Sequence, residues 1–389
     1  MPDVFTDITE ILKTEYVDTG KLGLHISEKT VVLDLIKRNS GVTNMSQKSF
    51  EVDCDAYGAS AYWFDPDTDG DLNSHAPTFD SMTVSVKSLA TSSFVKDIDL
   101  QVKKAGAIAD LAIKLKNHLV LAMARAMNVS AVADTKGKIA RANGANAGAV
   151  ITFDEAVPDA FKPNQLITIG SNDATVSTVD SETQITLTAT VVAADNDVIY
   201  DRSASANAAD GLGNLIVNSG TIQGVAKGTN YWAHSFIDST SEVIDTADLL
   251  KIALKVNRYG TGAKVILTGE DLWRKIGADL TSLKQVNLAS AQSYIDLPGG
   301  WSGLRFAAGA QAMPIIQEAD MVYGSSGKVY VITPEALTLG SLGERFLPGS
   351  NGFFDRVNKR PKWEITMVNY ANFAVKNFKA VGLLSNKTT

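Results

Sequence analysis

The sequence predicts an α+β protein made of unlike parts strung in order, and three observations predict it. Asp97 to Asn128 carries the longest apolar repeat at three- and four-residue spacing. Met45 to Val95 and Arg141 to Asp201 instead alternate in short runs between turn residues, and from Gly211 onward helical and strand patterns interleave. The chain has 389 residues, 45% hydrophobic and 20% charged, so it buries a large core and is not generally disordered. At roughly 100–200 residues per domain this allows about two to four domains.

The first forty residues are an arm. Asp7 to Tyr16 and Thr30 to Arg38 have short helical periodicity around Gly20 and Gly23. Helices that short are marginal alone and must lie on another surface. Next comes a long hairpin: Phe50 to Val52, the aromatic Ala59 to Phe64, and Thr83 to Lys87, with the acidic stretch Asp65 to Ser74 as its tip. Two strands alone are barely stable in water, so the hairpin is expected to rest on another surface, such as that of another subunit. Asp97 to Asn128 follows as a spine helix, with Ile98, Val102, Ala105, Ile108, Ala112, Leu115, Leu119, Ala122 and Met123 as its apolar face and Lys103, Asp110, Lys114 and Lys116 as its polar side.

From Arg141 to Asp201 basic residues nearly vanish. Five alternating runs (149–153, 165–169, 174–179, 184–187 and 197–200) read as a small all-β unit between small-residue linkers at 143–148 and 203–209, an inserted domain. Beyond Gly211, Asp245 is placed to cap a helix that carries Leu249, Ile252, Ala253 and Val256 and ends near Gly260. Lys264 to Leu267 is a strand. Thr268-Gly-Glu-Asp reads as a capping box before the helix of Trp273. Met313 to Ile316 and Val329 to Ile332 are buried strands, Thr333-Pro-Glu opens a short helix, and Trp363 to Val368 alternates.

Chemistry is sparse. With 36 basic and 43 acidic side chains the net charge is −7, which argues against a wholly basic nucleic-acid binder and leaves a local basic patch open. The one cysteine, Cys54, forms no intrachain disulfide, and its acidic neighbours Asp53 and Asp55 oppose a reactive thiolate. The four histidines, His25, His75, His118 and His234, are scattered, so neither a zinc cluster nor a catalytic triad is predicted. Asp65-x-Asp67-x-Asp69-Gly70 copies the start of a calcium loop, but Ala76 stands where the bidentate glutamate belongs; an acidic hairpin tip is the plainer reading. Gly211-Leu-Gly-Asn and Gly260-Thr-Gly-Ala-Lys lack the phosphate-loop pattern. The Asn358 to Lys362 run is short enough to be a solvated loop. No signal peptide, membrane span, metal or cofactor is predicted. Tyr62, Trp63 and Phe64 have no interleaved basic residues, so subunit contact suits them better than base stacking. This is the profile of a building block.

Three stretches carry a family resemblance. They are Ala61-Tyr-Trp-Phe with Pro77-Thr-Phe-Asp-Ser-Met-Thr-Val-Ser-Val-Lys-Ser-Leu-Ala, then Gly224-Val-Ala-Lys-Gly-Thr-Asn-Tyr-Trp after a Gly-Leu-x-x-Leu-Ile segment, and Ala312-Met-Pro-Ile-Ile-Gln-Glu-Ala-Asp-Met with Gly327-Lys-Val-Tyr-Val-Ile-Thr-Pro-Glu. With the order of elements, the chain resembles the major capsid proteins of tailed bacteriophages, of the Hong Kong 97-like fold. The resemblance implies an arm at 1–44, an extended loop at 45–96, the spine helix of a peripheral domain at 97–140, an inserted β domain at 141–203, an axial domain at 204–345 and C-terminal strands at 346–389. It further implies pentamers and hexamers of an icosahedral shell around double-stranded DNA in a virion, assembled in a bacterial cytoplasm. Scaffolding and portal proteins are the implied partners, with no membrane; a scaffold, if used, is expected to be separate or removed. Tyr62, Trp63 and Phe64, with Asp67 and Asp69 at the acidic tip, are the expected subunit contacts. Lys48 and Lys87 lie where some relatives crosslink, but no crosslink is predicted. An encapsulin-like nanocompartment shell shares the fold and is the nearer alternative; a calcium-dependent β module or enzyme is the farther one.

Overall fold

The computed structural model describes residues 30–39, 42–44, 48–57, 78–96, 105–157, 160–202, 204–259, 264–284, 294–297, 301–308, 311–323, 327–346, 355–356 and 362–388. Ala105–Val132 is one 28-residue helix, about 42 Å long at 1.5 Å per residue. From Leu115 on, its buried positions are Lys116, Leu119, Val120, Met123, Ala124, Met127, Asn128, Ala131 and Val132, a stripe at three- and four-residue spacing. Two residues change sides relative to the sequence reading. Ala122 is exposed, and Lys116 is buried. The 3.6-residue period through 116, 120 and 123 places both, and the apolar stem of lysine suits a buried stripe.

Ser49–Tyr57 pairs antiparallel with Thr78–Ser85. Phe50, Val52, Cys54, Met82 and Val84 are buried while Glu51, Asp53, Ser81 and Thr83 are exposed, as a two-residue period requires. Those five side chains enter the main core together with Val32, Leu33 and Ile36 of the helix Val31–Asn39. The surface that helix and hairpin need is therefore, over these residues, supplied by the same chain. The Thr83 to Lys87 run is not one strand. Val86 donates its N–H to the Lys48 carbonyl (3.0 Å), and the chain then leaves the hairpin for the strand Lys87–Lys96. That strand pairs with one edge of the 14-residue strand Lys362–Val375. The other edge of Lys362–Val375 takes Leu337–Phe346 and Asp355–Arg356, and Val42–Asn44 adds in parallel beyond Leu337–Phe346. The expected helix at 7–16 and the expected strand at 59–64 lie outside the described residues.

Lys138 to Asp201 form a six-stranded sheet around a separate core that includes Ile151, Phe153, Phe161, Ile167, Ile169, Val176, Ile185 and Ile199. Phe153 and Phe161 stack with ring centroids 4.9 Å apart. The two outer strands meet. An Ala142–Phe153 bridge and the Asn143 N–H to Thr152 carbonyl bond (2.9 Å) curl the sheet closed and leave no long free edge. The stretch 143–148, read as a linker, follows the first strand, Lys138–Arg141, and is itself a rung. Asn146 and Ala193 exchange both backbone hydrogen bonds, and Gly144 donates to Asp195.

The seven-stranded sheet runs in the order 236–238, 381–384, 329–332, 265–268, 311–317, 301–308 and 294–297. Its inner strands are buried on both faces. Ile266, Val329, Val331 and Leu384 face a core closed by Leu249, Ile252, Ala253 and Val256 of the helix Thr246–Tyr259, whereas Leu267, Tyr330, Ile332 and Leu383 face the main core. Two-sided burial is why these strands read as unbroken apolar runs. Asp245 caps Thr246–Tyr259, accepting from the Asp248 N–H at 2.8 Å. The capping box at Thr268 does not form. Thr268 ends a buried strand and its hydroxyl turns to the Gly269 carbonyl, so the helix Glu270–Lys284 starts after Gly269 with Glu270 and Asp271 against its positive end. No helix among the described residues is long and apolar enough to cross a membrane.

Candidate functional site

Tyr62, Trp63, Phe64, Asp67 and Asp69 lie outside the described residues, as does the whole Asp65 to Ala76 loop. His25, His75, Gly260 to Ala263 and residues 358–361 also lie outside the described residues. Cys54 is buried in the hairpin, paired with Asp80, with its thiol 3.6 Å from the Val52 carbonyl. His118 is exposed on the spine helix, and the His234 ring Nε2 lies 2.7 Å from the Lys227 carbonyl. Gly211 and Gly213 are packing glycines rather than a phosphate cradle. A Cβ on Gly211 would sit 2.3 Å from the Ser130 carbonyl oxygen, and one on Gly213 2.3 Å from the Asp134 Cα. Among the described residues no three acidic, histidine or cysteine side chains gather to hold a metal.

The feature the fold builds is a groove. The spine helix, the root of Lys87–Lys96, the base of the six-stranded unit and the short helix Ala204–Asn207 enclose a cavity of about 640 Å³, within the ~300–1,000 Å³ typical of binding clefts. Its floor is apolar, with Met127 and Phe373 buried and Leu89 half-buried. Its rim is cationic. Lys87, Arg125, Lys162 and Arg202 line it, and Asp201 is the one carboxylate among the described lining residues. Arg125 and Arg202 are about half exposed (51% and 54%) and meet Asp320 and Asp173 only at 3.7 and 3.5 Å.

Buried charge sits beneath the groove. Asp134, at the end of the spine helix, takes three cations: Lys138 at 3.3 Å, Arg141 at 3.0 Å and Lys328 at 3.1 Å. Burial works to raise its pKa, but Lys138, Lys328 and Arg141 outweigh burial and hold the carboxyl below its ordinary range. Burial also lowers Lys138, against the pull of Asp134. The two tendencies oppose each other; with three cations on one carboxylate, an ionised Asp134 is the state that stands. The cluster ties the spine helix to the six-stranded unit and to the seven-stranded sheet.

A second cluster joins helix Val31–Asn39 to the spine. Burial, with the neighbouring Asp320 charge, pushes Glu318 up to about 7, and burial raises Asp320 as well. A third buried group is Lys227. Burial lowers it to about 7; its Nζ donates to the Ala233 carbonyl at 2.9 Å and lies 3.1 Å from the centre of the Phe378 ring. Neither the rim cations nor these buried groups were legible in the sequence. Arg125, Lys162 and Arg202 are far apart in the chain, and only the fold brings them together. Glu318 and Lys227 do fall inside the stretches that carry the family resemblance, which is the one signal available.

No protein-family model matches the sequence, and no curated protein does. Solved structures do. The capsid asymmetric unit of cyanophage A-1(L) is 13% identical, covers 93% of each chain and superposes with a TM-score of 0.54. The capsid of the native GTA particle, computed with C5 symmetry, is 13% identical over 91% of this chain and 90% of that one, with a TM-score of 0.48. Mycobacterium phage Adephagia is 12% identical over 93% and 91%, with a TM-score of 0.42. At this identity the likeness concerns the fold, and the fold is that of a phage capsid protein, in agreement with the resemblance read from the sequence.

Proposed function

We propose that this chain is the major capsid protein of a tailed phage, a structural protein that assembles into an icosahedral shell of pentamers and hexamers around double-stranded DNA. The observation that carries the reading is the superposition on the cyanophage A-1(L) capsid across 93% of both chains. Fold alone does not fix function, but here it agrees with a chain without a recognisable catalytic motif. Scaffolding and portal proteins are the partners this reading calls for, and the virion is its location. The six-stranded unit is then a module inserted into the shell fold. Heterologous contacts that close by rotation would generate the rings.

The expected contact residues are Tyr62, Trp63 and Phe64, followed by Asp67 and Asp69. Negative-stain electron microscopy with light scattering tests the reading. Closed shells, or rings of five and six copies, are expected. A monodisperse monomer that persists with crowding agent and a candidate scaffold overturns it. Replacing Tyr62, Trp63 and Phe64 together with Ser should leave a folded chain that does not form shells.

A further inference from the structure

We propose that the rings of Tyr231, Phe236 and Tyr259, with the cations Lys255, Arg258 and Lys379 among them, form a binding surface for single-stranded nucleic acid. The inference goes beyond the assembly reading and does not depend on it. The patch lies on the edge strand Phe236–Asp238 of the seven-stranded sheet, between the helical turns Tyr231–Ala233 and Phe378–Ala380 and the end of the helix Thr246–Tyr259. It is continuous. The Lys379 Nζ lies 4.0 Å from the centre of the Tyr231 ring and 5.7 Å from that of Phe236. The Phe236 and Tyr259 ring centroids are 5.7 Å apart. The Lys255 Nζ is 5.8 Å from the Phe236 ring centre, and the Arg258 Cζ is 5.8 Å from that of Tyr259. The Asn377 amide donates to the Tyr259 carbonyl at 3.4 Å and ties the second turn to the helix end.

Exposure and charge point to an anionic, flat-faced ligand. Tyr231 is 71% exposed and Tyr259 46%. Lys379 covers one face of Tyr231 and leaves the rest of the ring to solvent. Lys255, Arg258 and Lys379 make no ion pair among the described residues, whereas Lys251, one turn before Lys255, pairs with Asp238 at 2.7 Å. Burial pushes the Lys379 ammonium below its usual range, and no carboxylate counters it. The negative end of the helix suits Arg258 but explains neither Lys379 nor the exposed Tyr231 ring.

The mixture selects the ligand. The buried centre of a protein–protein interface is depleted of charge, and here each ring has a cation within 6 Å of its centre. Rings that take bases beside cations that take phosphates are how single strands are held. A duplex offers its phosphates, but its bases are already stacked on one another and leave the rings unused. The net charge of −7 speaks against a wholly basic chain and not against a patch of this kind.

The test is fluorescence anisotropy of the full chain with a fluorescein-labelled oligodeoxythymidylate of about twelve nucleotides. Saturable binding that weakens between about 50 and 200 mM sodium chloride is expected. Tyr231→Ser, on a mostly exposed side chain, should weaken it on the order of tenfold without changing its salt dependence, and Tyr231→Phe should restore it. Lys255→Gln with Arg258→Gln should instead flatten the salt dependence, by about 1.4 in the slope of log affinity against log salt. No binding, or binding that Tyr231→Ser leaves unchanged, overturns the proposal. A duplex of the same length that binds as tightly as the single strand also overturns it, because phosphate attraction alone would then suffice. So does a Tyr231→Ser chain that fails to form shells while the wild type forms them and binds no oligonucleotide, since the patch would then be a subunit contact. Oligonucleotide binding by a chain that never assembles upholds this inference and sinks the assembly reading.

Discussion

Asn128, in the last turns of the spine helix, donates its side-chain amide to Glu318 at 3.2 Å, and both residues are buried. The same amide reaches Asp320 at 2.7 Å, while the Asn128 side-chain Oδ1 accepts the Leu33 N–H at 3.2 Å. One side chain thus joins three segments remote in sequence. Asn128→Ala removes every one of these bonds without adding bulk at this buried site. It leaves a buried N–H and two carboxylates short of a donor, which costs about 2–4 kcal/mol. Urea unfolding should show the loss, and hydrogen exchange should show faster opening of Val31–Asn39 than of the rest.

Glu318 and Lys227 shape the pH dependence. Glu318 is raised in the folded chain to about 7 from an ordinary 4.5. Its contribution is therefore fully present below pH 4.5 and is lost as pH rises to 7, by on the order of 3 kcal/mol at most. Lys227 is lowered to about 7 from 10.5. The unfolded chain binds the extra proton between those values, so stability from this group rises from pH 7 toward 10.5. Together they predict a dip near neutrality. Thermal unfolding from pH 5 to 9 should show Glu318→Gln flattening the acid side and Lys227→Met flattening the alkaline side. Unchanged slopes in both variants would refute the assignment.

What the sequence disclosed was local. The spine helix, the strands 184–187 and 329–332 and the Asp245 cap follow from period and capping chemistry within a few residues. The pairing of Lys87–Lys96 with Lys362–Val375 joins opposite ends of the chain, and no local pattern encodes a partner. Thr268 misled for a related reason: a motif that caps a helix in isolation was overridden by burial of the strand it ends. The groove is not legible in the sequence because its cations come one at a time from separate elements.

Gly211 and Gly213 bring the chain against the end of the spine helix, where a Cβ would meet Ser130 and Asp134 backbone atoms at 2.3 Å. Backbone cannot yield as a flexible side chain does, so Gly211→Ala or Gly213→Ala should cost about 3 kcal/mol or more. Gly228 has open space around its Cβ position and serves as the control. Gly228→Ala should stay within about 0.5 kcal/mol of wild type in the same denaturation series.

Asp134 is the residue on which the junction of the three units depends. Its side chain is 3% exposed and that of Lys138 1%, so Asp134→Asn removes the buried charge that Lys138, Arg141 and Lys328 share. Breaking one partner of a buried pair costs about 3–5 kcal/mol, and this carboxylate serves three cations. The loss should be largely insensitive to salt, because buried pairs are screened far less than exposed ones. The exposed pair Arg274–Asp271 offers the contrast. Asp271→Asn should cost less than about 1 kcal/mol. Denaturation at low and high sodium chloride checks both, and an Asp134→Asn penalty that fades with salt would place this cluster in solvent rather than in the core.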